Sequence, residues 1–199
     1  MSRALLVLAS AFVFATASAD TLSDQLILAA RARTTQHELY DGSYRRIPYP
    51  LGDVPSDRGV CTDLVIRAYR AVRIDLQALV HEDMQAHFAA YPKLWNLTRP
   101  DPNIDHRRVP NLQRFFERAG AKLAVSRKPE DYAAGDLVTW ALPGNLPHIG
   151  IVSDRRVDGT ARPKILHNIG AGPVEDDILF VYTITGHYRY PAARTRLPD

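Results

Sequence analysis

The sequence predicts an α+β fold in which helices occupy the first half of the chain and antiparallel strands the second. Up to about residue 120, apolar residues recur three and four positions apart, as they do along one face of a helix. Beyond that point, short β-type runs alternate with turn residues. The 199 residues, 46% of them hydrophobic, are enough for one domain with its own core.

Four helical segments are expected in the first half. Ser23 and Asp24 can cap the first, and the stretch 40–59, rich in glycine, proline and aspartate, predicts an ordered loop before the second. Pro110 can open the fourth helix, which Gly120 stops. The predicted helices run from residue 23 to near residue 37, from 61 to 72, from 82 to 90 and from 110 to 119.

The second half predicts four strands separated by turns. They cover residues 135–140, 148–152, 164–169 and 178–185. Helices followed by strands with no internal repeat favour a single domain over residues 20–199.

Residues 1–19 have the pattern of an export signal. A basic residue, Arg3, precedes an apolar stretch over residues 4–17, and small residues then lead to Asp20. We expect cleavage after Ala19 and a periplasmic or secreted mature protein. No later stretch is long and apolar enough to span a membrane, so no integral membrane segment is expected after signal removal.

Cys61 is the only cysteine in the chain. Exported proteins usually pair their cysteines, so a single one indicates a reactive thiol or an intermolecular bridge. Its place at the start of a buried helix favours the thiolate, but the helix dipole supplies only about 0.3–1 kcal/mol. Lowering a thiol pKa from about 8.5 to about 6 takes on the order of 3 kcal/mol. A histidine partner is therefore expected, and the alternative is a small buried hydrophobe without chemistry.

His148 has the surroundings of such a partner. It follows the loop 143–147 and begins a strand in which Gly150 leaves space beside the imidazole, although a histidine that merely ends a loop is the alternative. His81 and His87 point to different sides of a helix, because they lie six residues apart where a helical zinc motif needs four. We expect no metal and no cofactor.

The formal charge of +3 and a pI of about 9.1 describe a mildly basic protein whose basic residues are mostly arginine. This composition suits carboxylate or phosphate partners and an anionic cell envelope. The arginines are scattered and no basic run is interleaved with aromatic residues, so a nucleic-acid partner is not expected. We expect a monomer.

The combined pattern resembles the NlpC/P60 cell-wall peptidases, a branch of the papain-like cysteine hydrolases. Tyr49 and Gly52 precede Cys61 at the family's spacing. Later segments match in order: GDLVTW from residue 135, HIGIV from 148 and ILH from 165. The segments DRGVCTD from residue 57 and HNIG from 167 look closest to the DUF1287 subgroup. The resemblance implies a papain-like NlpC/P60 fold with N-terminal helices packed on an antiparallel β-sheet.

The resemblance also implies a role for each matching residue. Cys61 would be the nucleophile, His148 the general base, and His167 the residue that orients His148. Strand alternation leaves Asn168 as an alternative orienting residue. Tyr49 and the backbone N–H of Cys61 would stabilise the oxyanion. The implied substrate is peptidoglycan or a peptide-like relative, cut at an amide bond of its peptide stems or crosslinks.

Two departures from the family pattern are informative. Asp63 follows the nucleophile, whereas typical members carry an acidic residue before it. A carboxylate beside the thiol would oppose ionisation, so we expect Asp63 to face substrate, a helix-start N–H or Arg58. Asp63 and Arg58 are therefore the candidate substrate-binding residues. A helical insertion at about residues 74–108 either covers the cleft or adds packing.

Three other functions remain compatible with the sequence. They are a catalytically silent cell-wall binding module, a thiol acyltransferase or amidase acting on a non-wall substrate, and a structural envelope protein. The structural alternative explains neither the lone thiol nor the two histidine-bearing strands.

Overall fold

The structure, a computed structural model, describes residues 21–191, so the expected export signal lies outside the described residues. Its α-helices precede its main sheet along the chain, which confirms the predicted α+β class. The helices of the described range are α1 (Leu22–Arg33), α2 (Cys61–Ala71), α3 (Leu76–His87) and α4 (Val109–Arg118).

Two sheets accompany the helices. The strands are β1 (Leu39–Tyr40), β2 (Arg58–Gly59), β3 (Lys122–Leu123), β4 (Leu137–Leu142), β5 (Leu146–Arg156), β6 (Pro163–Asn168), β7 (Pro173–Asp176) and β8 (Thr183–Tyr188). Strands β1 and β2 form a short parallel pair, and the other six form an antiparallel sheet in the order β3-β8-β4-β5-β6-β7. The helices packed on this antiparallel sheet have the predicted arrangement.

The antiparallel sheet buries apolar side chains on both faces. On one face, Ile149 and Leu166 join a core built with the four helices. On the other, Trp140 and Ile165 join a smaller cluster that includes Leu179. Successive strand residues point to opposite faces, so His148 lies on the face of the smaller cluster, with its ring 5.8 Å from that of Trp140.

Helix α2 begins at Cys61 as predicted, but two other boundaries differ. Helix α1 ends at Arg33, four residues before the expected end, because the Thr34 N–H tightens the last turn by bonding to the Arg31 carbonyl at 3.0 Å. Helix α3 starts six residues before the expected position, because the Asp75 side chain accepts a hydrogen bond from the Gln77 N–H at 3.1 Å.

The last predicted strand was placed too early. Residues 178–182 form a turn instead of a strand, and β8 begins only at Thr183. Ile178 and Leu179 are buried against the smaller cluster, so their apolar character reflects packing and not a strand. In the described part of the chain, every helix is too short or too polar to cross a bilayer.

Candidate active site

The strand that precedes Cys61 sets the direction of helix α2. Strand β2 pairs with β1, and Val60 continues in an extended conformation as the N-cap of α2. The Asp63 carboxylate accepts a hydrogen bond from the Val60 N–H at 2.7 Å, which satisfies a backbone donor at the start of the helix. Cys61 therefore occupies the first turn of α2, where its side chain is 4% exposed.

The Cys61 sulfur lies between its own helix start and β5. Burial raises the pKa of the Cys61 thiol to about 11, because the thiolate loses its solvation. The backbone N–H groups of Ile149 and Thr62 and the hydroxyl of Tyr40 oppose this rise, because each directs a hydrogen-bond donor at the sulfur. The resting group is thus a neutral thiol in a site that already holds donors for a thiolate.

His148 and His167 form a buried pair. Nε2 of His148 lies 3.3 Å from Nδ1 of His167, and the two rings meet edge-on at 89°. Burial lowers the pKa of His148 to about 3, with a further contribution from the neighbouring His167, and burial lowers the pKa of His167 to about 4. Both imidazoles are therefore neutral near pH 7, and one proton is shared between the facing nitrogens.

Cys61 approaches the histidine pair at one position of β5. Cys61 packs in the same core cluster as Ile149, the residue that directly follows His148. Within residues 21–191, no hydrogen bond joins the sulfur to a ring nitrogen of His148. Such bonds are often loose in empty active sites and tighten when substrate binds. Cys61 packs with Ile149 on the helical face of the sheet, whereas His148 and His167 lie on the opposite face. The thiol and the two imidazoles thus approach the same end of β5 from opposite faces of the sheet.

Gly150 allows β6 to approach this site. A Cβ atom at Gly150 would lie 2.6 Å from Cγ2 of Ile165 and 3.1 Å from Cβ of His167. Both distances are shorter than ordinary carbon contacts. The space that the sequence predicted beside the imidazole of His148 is therefore filled by β6, which carries the second histidine.

The two candidate orienting residues occupy different surroundings. His167 contacts His148, whereas Nδ2 of Asn168 donates to Oε1 of Glu38 at 3.2 Å. The Glu38 carboxylate is fully buried and pairs with Arg67 at 2.8 Å. Asn168 thus belongs to a buried ionic network, and His167 is the one of the two that contacts His148.

A tyrosine does approach the sulfur, but it is Tyr40 and not Tyr49. The hydroxyl of Tyr40 interacts with Cys61, and burial together with that thiol raises the pKa of Tyr40 to about 12. Tyr49 and Tyr40 are similarly exposed, at 43% and 47%, but the ring of Tyr49 packs edge-on against His81 of α3 at 5.1 Å. The pairing of β1 with β2 brings Tyr40 opposite Gly59, two residues before Cys61. That pairing is the only signal that could have identified Tyr40.

Asp63 faces the helix start, one of its three predicted alternatives. Besides the Val60 N–H, it binds Arg107 through two hydrogen bonds of 2.8 and 2.9 Å, and both side chains are buried. Arg58 instead pairs with Asp41 at 3.2 Å and with Asp57. Because Asp63 is buried and its oxygens are occupied, the geometry gives it a structural role and not contact with substrate.

Arg107 was not predicted from the sequence. It lies in a 3₁₀ turn, Asp105–Arg107, inside the expected insertion, and its carbonyl also accepts a hydrogen bond from the Thr62 hydroxyl at 3.0 Å. The segment 74–108 therefore supports the start of α2. In the described part of the chain, no group of three or more histidine, cysteine or carboxylate side chains is arranged to hold a metal ion.

Comparisons with known proteins give one family and one close relative. The family model described as "Domain of unknown function (DUF1287)" matches residues 27–190. The Escherichia coli K12 protein described as "Uncharacterized protein YijF" is 54% identical over 162 residues, which cover 81% of this chain and 78% of that protein.

A similar solved structure is that of NlpC1 from Trichomonas vaginalis, with a TM-score of 0.47 and 14% sequence identity. The match covers 88% of this chain but only 46% of NlpC1, so the chain spans about half the length of that protein.

Proposed function

The chain belongs to the DUF1287 family, and we propose that it is a thiol hydrolase that cleaves amide bonds. The observation that carries the proposal is the position of the Cys61 sulfur. Cys61 begins the buried helix α2 and packs with Ile149, the residue that follows His148, and His148 in turn contacts His167. A nucleophile, a base and an orienting group are the three parts of such a mechanism.

The chemistry starts from neutral groups. Cys61 attacks the carbonyl carbon of the amide while His148 takes the thiol proton, and His148 then gives that proton to the leaving amine. Water, activated by the same imidazole, hydrolyses the resulting thioester. For His148 to accept the thiol proton at Nδ1, its Nε2 must carry a hydrogen and donate it to Nδ1 of His167. His167 thus selects the tautomer as well as the ring orientation.

Two donors are placed to stabilise the oxyanion. The backbone N–H of Cys61 is at the start of α2, where helix N–H groups lack intrahelical partners. The hydroxyl of Tyr40 approaches the sulfur and is the second donor. A negative oxygen formed beside the sulfur would lie close to both. We assign the role first considered for Tyr49 to Tyr40.

The proposed substrate is an amide bond in the peptide stems or crosslinks of peptidoglycan. The signal-like residues 1–19 support a periplasmic or secreted location, where that polymer is accessible. The mild basicity of the chain suits an anionic envelope. The motif resemblance around Cys61 and His148 supports the same substrate class.

The test is incubation of residues 20–199 with purified muropeptides, followed by mass spectrometry of the products. We expect new fragments whose masses correspond to hydrolysis of one amide bond. Cys61→Ala should abolish them, and an unchanged unfolding midpoint would show that the variant is folded. Cleavage at an undiminished rate by Cys61→Ala would refute the thiol mechanism.

A silent binding module is the second candidate, and the closed thiol favours it. The Cys61 side chain is 4% exposed and burial raises its pKa, which is a poor starting state for a nucleophile. Such a module would bind muropeptides in sedimentation or calorimetric assays without changing their masses. Observed cleavage that depends on Cys61 would exclude it.

A further inference from the structure

Three neighbouring cavities lie along the segment 94–108, and Trp95 borders two of them. The first cavity, about 420 Å³, reaches Pro147, the residue before His148. The second, about 340 Å³, reaches Val60, the residue before Cys61. Trp95 lines both cavities, which reach the chain neighbours of His148 and Cys61 but are not lined by those two residues themselves.

The first cavity is uncharged. Its lining combines apolar side chains with three polar ones, Gln113, Asn145 and Thr185, and none of the described residues that line it is ionisable. A mostly apolar cavity with a few polar groups is the usual form of a small-molecule site. This cavity suits a neutral part of a substrate.

The other end of the row is cationic. Tyr44 lines both the second cavity and a third of about 830 Å³, which Arg46 and Arg99 also line. Neither guanidinium forms a hydrogen bond or an ion pair within residues 21–191. The carboxylate in that cavity, Asp101, is already bound by the Tyr44 hydroxyl at 3.1 Å and by Asn103. Two free guanidinium groups favour a carboxylate ligand.

Trp95 is held in an unusual conformation between these cavities. It is 48% exposed, and the Arg108 guanidinium stacks over its ring at 4.1 Å. Its φ of 59° lies in the left-handed region, which is strained for a bulky residue. Strain of this kind persists where surrounding contacts or function require it. The Arg108 guanidinium holds the Trp95 ring in place, and the exposed part of the ring can contact a ligand.

We propose that the three cavities form one substrate groove and that Trp95 is the substrate-contacting residue at its centre. This inference rests on the proposed function. Because His148 must deliver its proton to the leaving amine, the amine fragment lies in the uncharged cavity beside Pro147. The acyl fragment extends past Val60 and carries a carboxylate toward Arg46 and Arg99. The groove thus selects an amide with an anionic acyl side and a neutral, partly apolar amine side.

Tryptophan fluorescence of the Cys61→Ala protein tests the groove without requiring catalysis. The chain has two tryptophans, and both line the uncharged cavity, Trp140 with a buried side chain and Trp95 with an exposed one. A Trp95→Phe substitution therefore assigns the signal to Trp95. Titration with muropeptides should change the emission spectrum. The change should be lost in Cys61→Ala/Trp95→Phe. Muropeptides whose carboxylates have been converted to amides should bind about 10-fold more weakly, because the ionic contact with Arg46 and Arg99 is lost.

Matched variants locate the carboxylate. Arg46→Ala and Arg99→Ala, each in the Cys61→Ala protein, should weaken binding of unmodified muropeptides by about 10-fold and have little effect on the amidated ones. Arg127→Ala is the control, because Arg127 is an exposed arginine that lines a different cavity. Equal effects of all three substitutions would refute the proposed groove. A tryptophan emission spectrum that does not change on addition of muropeptides would also refute it.

Cleavage by the wild-type protein separates this inference from the proposed function. Trp95→Ala should lower kcat/KM by about 10-fold or more, the usual effect of truncating a contacting tryptophan. Normal cleavage by Trp95→Ala and by both arginine variants would refute the groove alone. Binding that quenches Trp95 without any cleavage would support the groove and refute the hydrolase. A cleaved product whose amine fragment holds all the carboxylates would contradict the proposed orientation.

Discussion

Burial governs the protonation of the site residues. Cys61, His148 and His167 are each at most 4% exposed, and each is held in its neutral form near pH 7. The sequence predicted that Cys61 starts a helix and that His148 starts a strand, because both signals are local. It could not predict that the helix start and the strand would enclose the thiol and raise its pKa. That effect depends on packing between residues almost ninety positions apart.

The first prediction concerns alkylation of Cys61 in the unliganded protein. With a thiol pKa of about 11, the thiolate fraction and hence the rate with iodoacetamide should rise about tenfold per pH unit between pH 7 and 10. The urea-unfolded protein is the control and should level off near pH 9. A folded-state rate that is already constant above pH 8 would contradict the assigned burial. Slow alkylation at pH 7 therefore does not by itself exclude a hydrolase.

The second prediction concerns His167 as a positioning residue. His167→Ala should lower kcat by more than about 10-fold, and at most about 10⁴-fold, while leaving KM within a few-fold. His167→Asn, which can accept from Nε2 of His148, should recover part of the loss. Asn168→Ala is the comparison variant, because Asn168 contacts Glu38 and not His148. An equal loss of kcat in both alanine variants would refute the assigned role.

At the scale of elements, the segment 74–108 supports the helix that carries Cys61. The sequence indicated the contact of Asp63 with the helix start, because an acidic residue in the first turn of a helix is a typical capping residue. The sequence did not indicate the contact of Arg107 with Asp63, since an isolated arginine in a 3₁₀ turn has no sequence pattern that identifies its partner. Tyr40 was missed for the same reason: only the pairing of β1 with β2 brings it to the site.

The third prediction tests this support. Arg107→Ala would leave the buried Asp63 carboxylate without its cation, and should lower the free energy of unfolding by about 3–5 kcal/mol. Arg58→Ala removes a more exposed ion pair and should cost less than about 1 kcal/mol. Urea unfolding measures both. Similar losses in the two variants would show that the Asp63–Arg107 pair is not the support we infer.

At the scale of the whole molecule, the antiparallel sheet separates two cores, and the buried histidines lie among them. His106 joins His148 and His167 in this respect, since burial lowers its pKa to about 3. The predicted α+β class and family membership follow from the order and spacing of motifs. The burial of these histidines does not, because it depends on segments distant in the chain, such as Ile178 and Leu179, which pack on the face of the sheet that carries His148.

The fourth prediction is acid destabilisation between pH 6.5 and 5. The three histidines have folded-state pKa values below 6.5, so the unfolded chain binds protons first and stability falls as pH decreases. Each histidine should lower the free energy of unfolding by up to about 2 kcal/mol between pH 6.5 and pH 5. Asp105 has the opposite effect on stability. Burial raises its pKa to about 6, so the folded protein binds this proton more tightly than the unfolded chain does.

Urea unfolding at several pH values measures the fourth prediction. His106→Leu, which lies outside the proposed catalytic set, should flatten the dependence by about one histidine's share. The comparison uses the slope with pH, so a uniform loss of stability in the variant does not affect it. A slope identical to that of the wild-type protein would show that His106 is not held neutral.

The most direct test of the central claim, that the Cys61 sulfur attacks the substrate, is the mass of the protein during turnover. Wild-type protein mixed with muropeptides and quenched in acid should carry the acyl fragment, and proteolysis should place the added mass on the peptide that contains Cys61. Cys61→Ala should show neither adduct nor products. Products formed by Cys61→Ala at the wild-type rate would contradict the account.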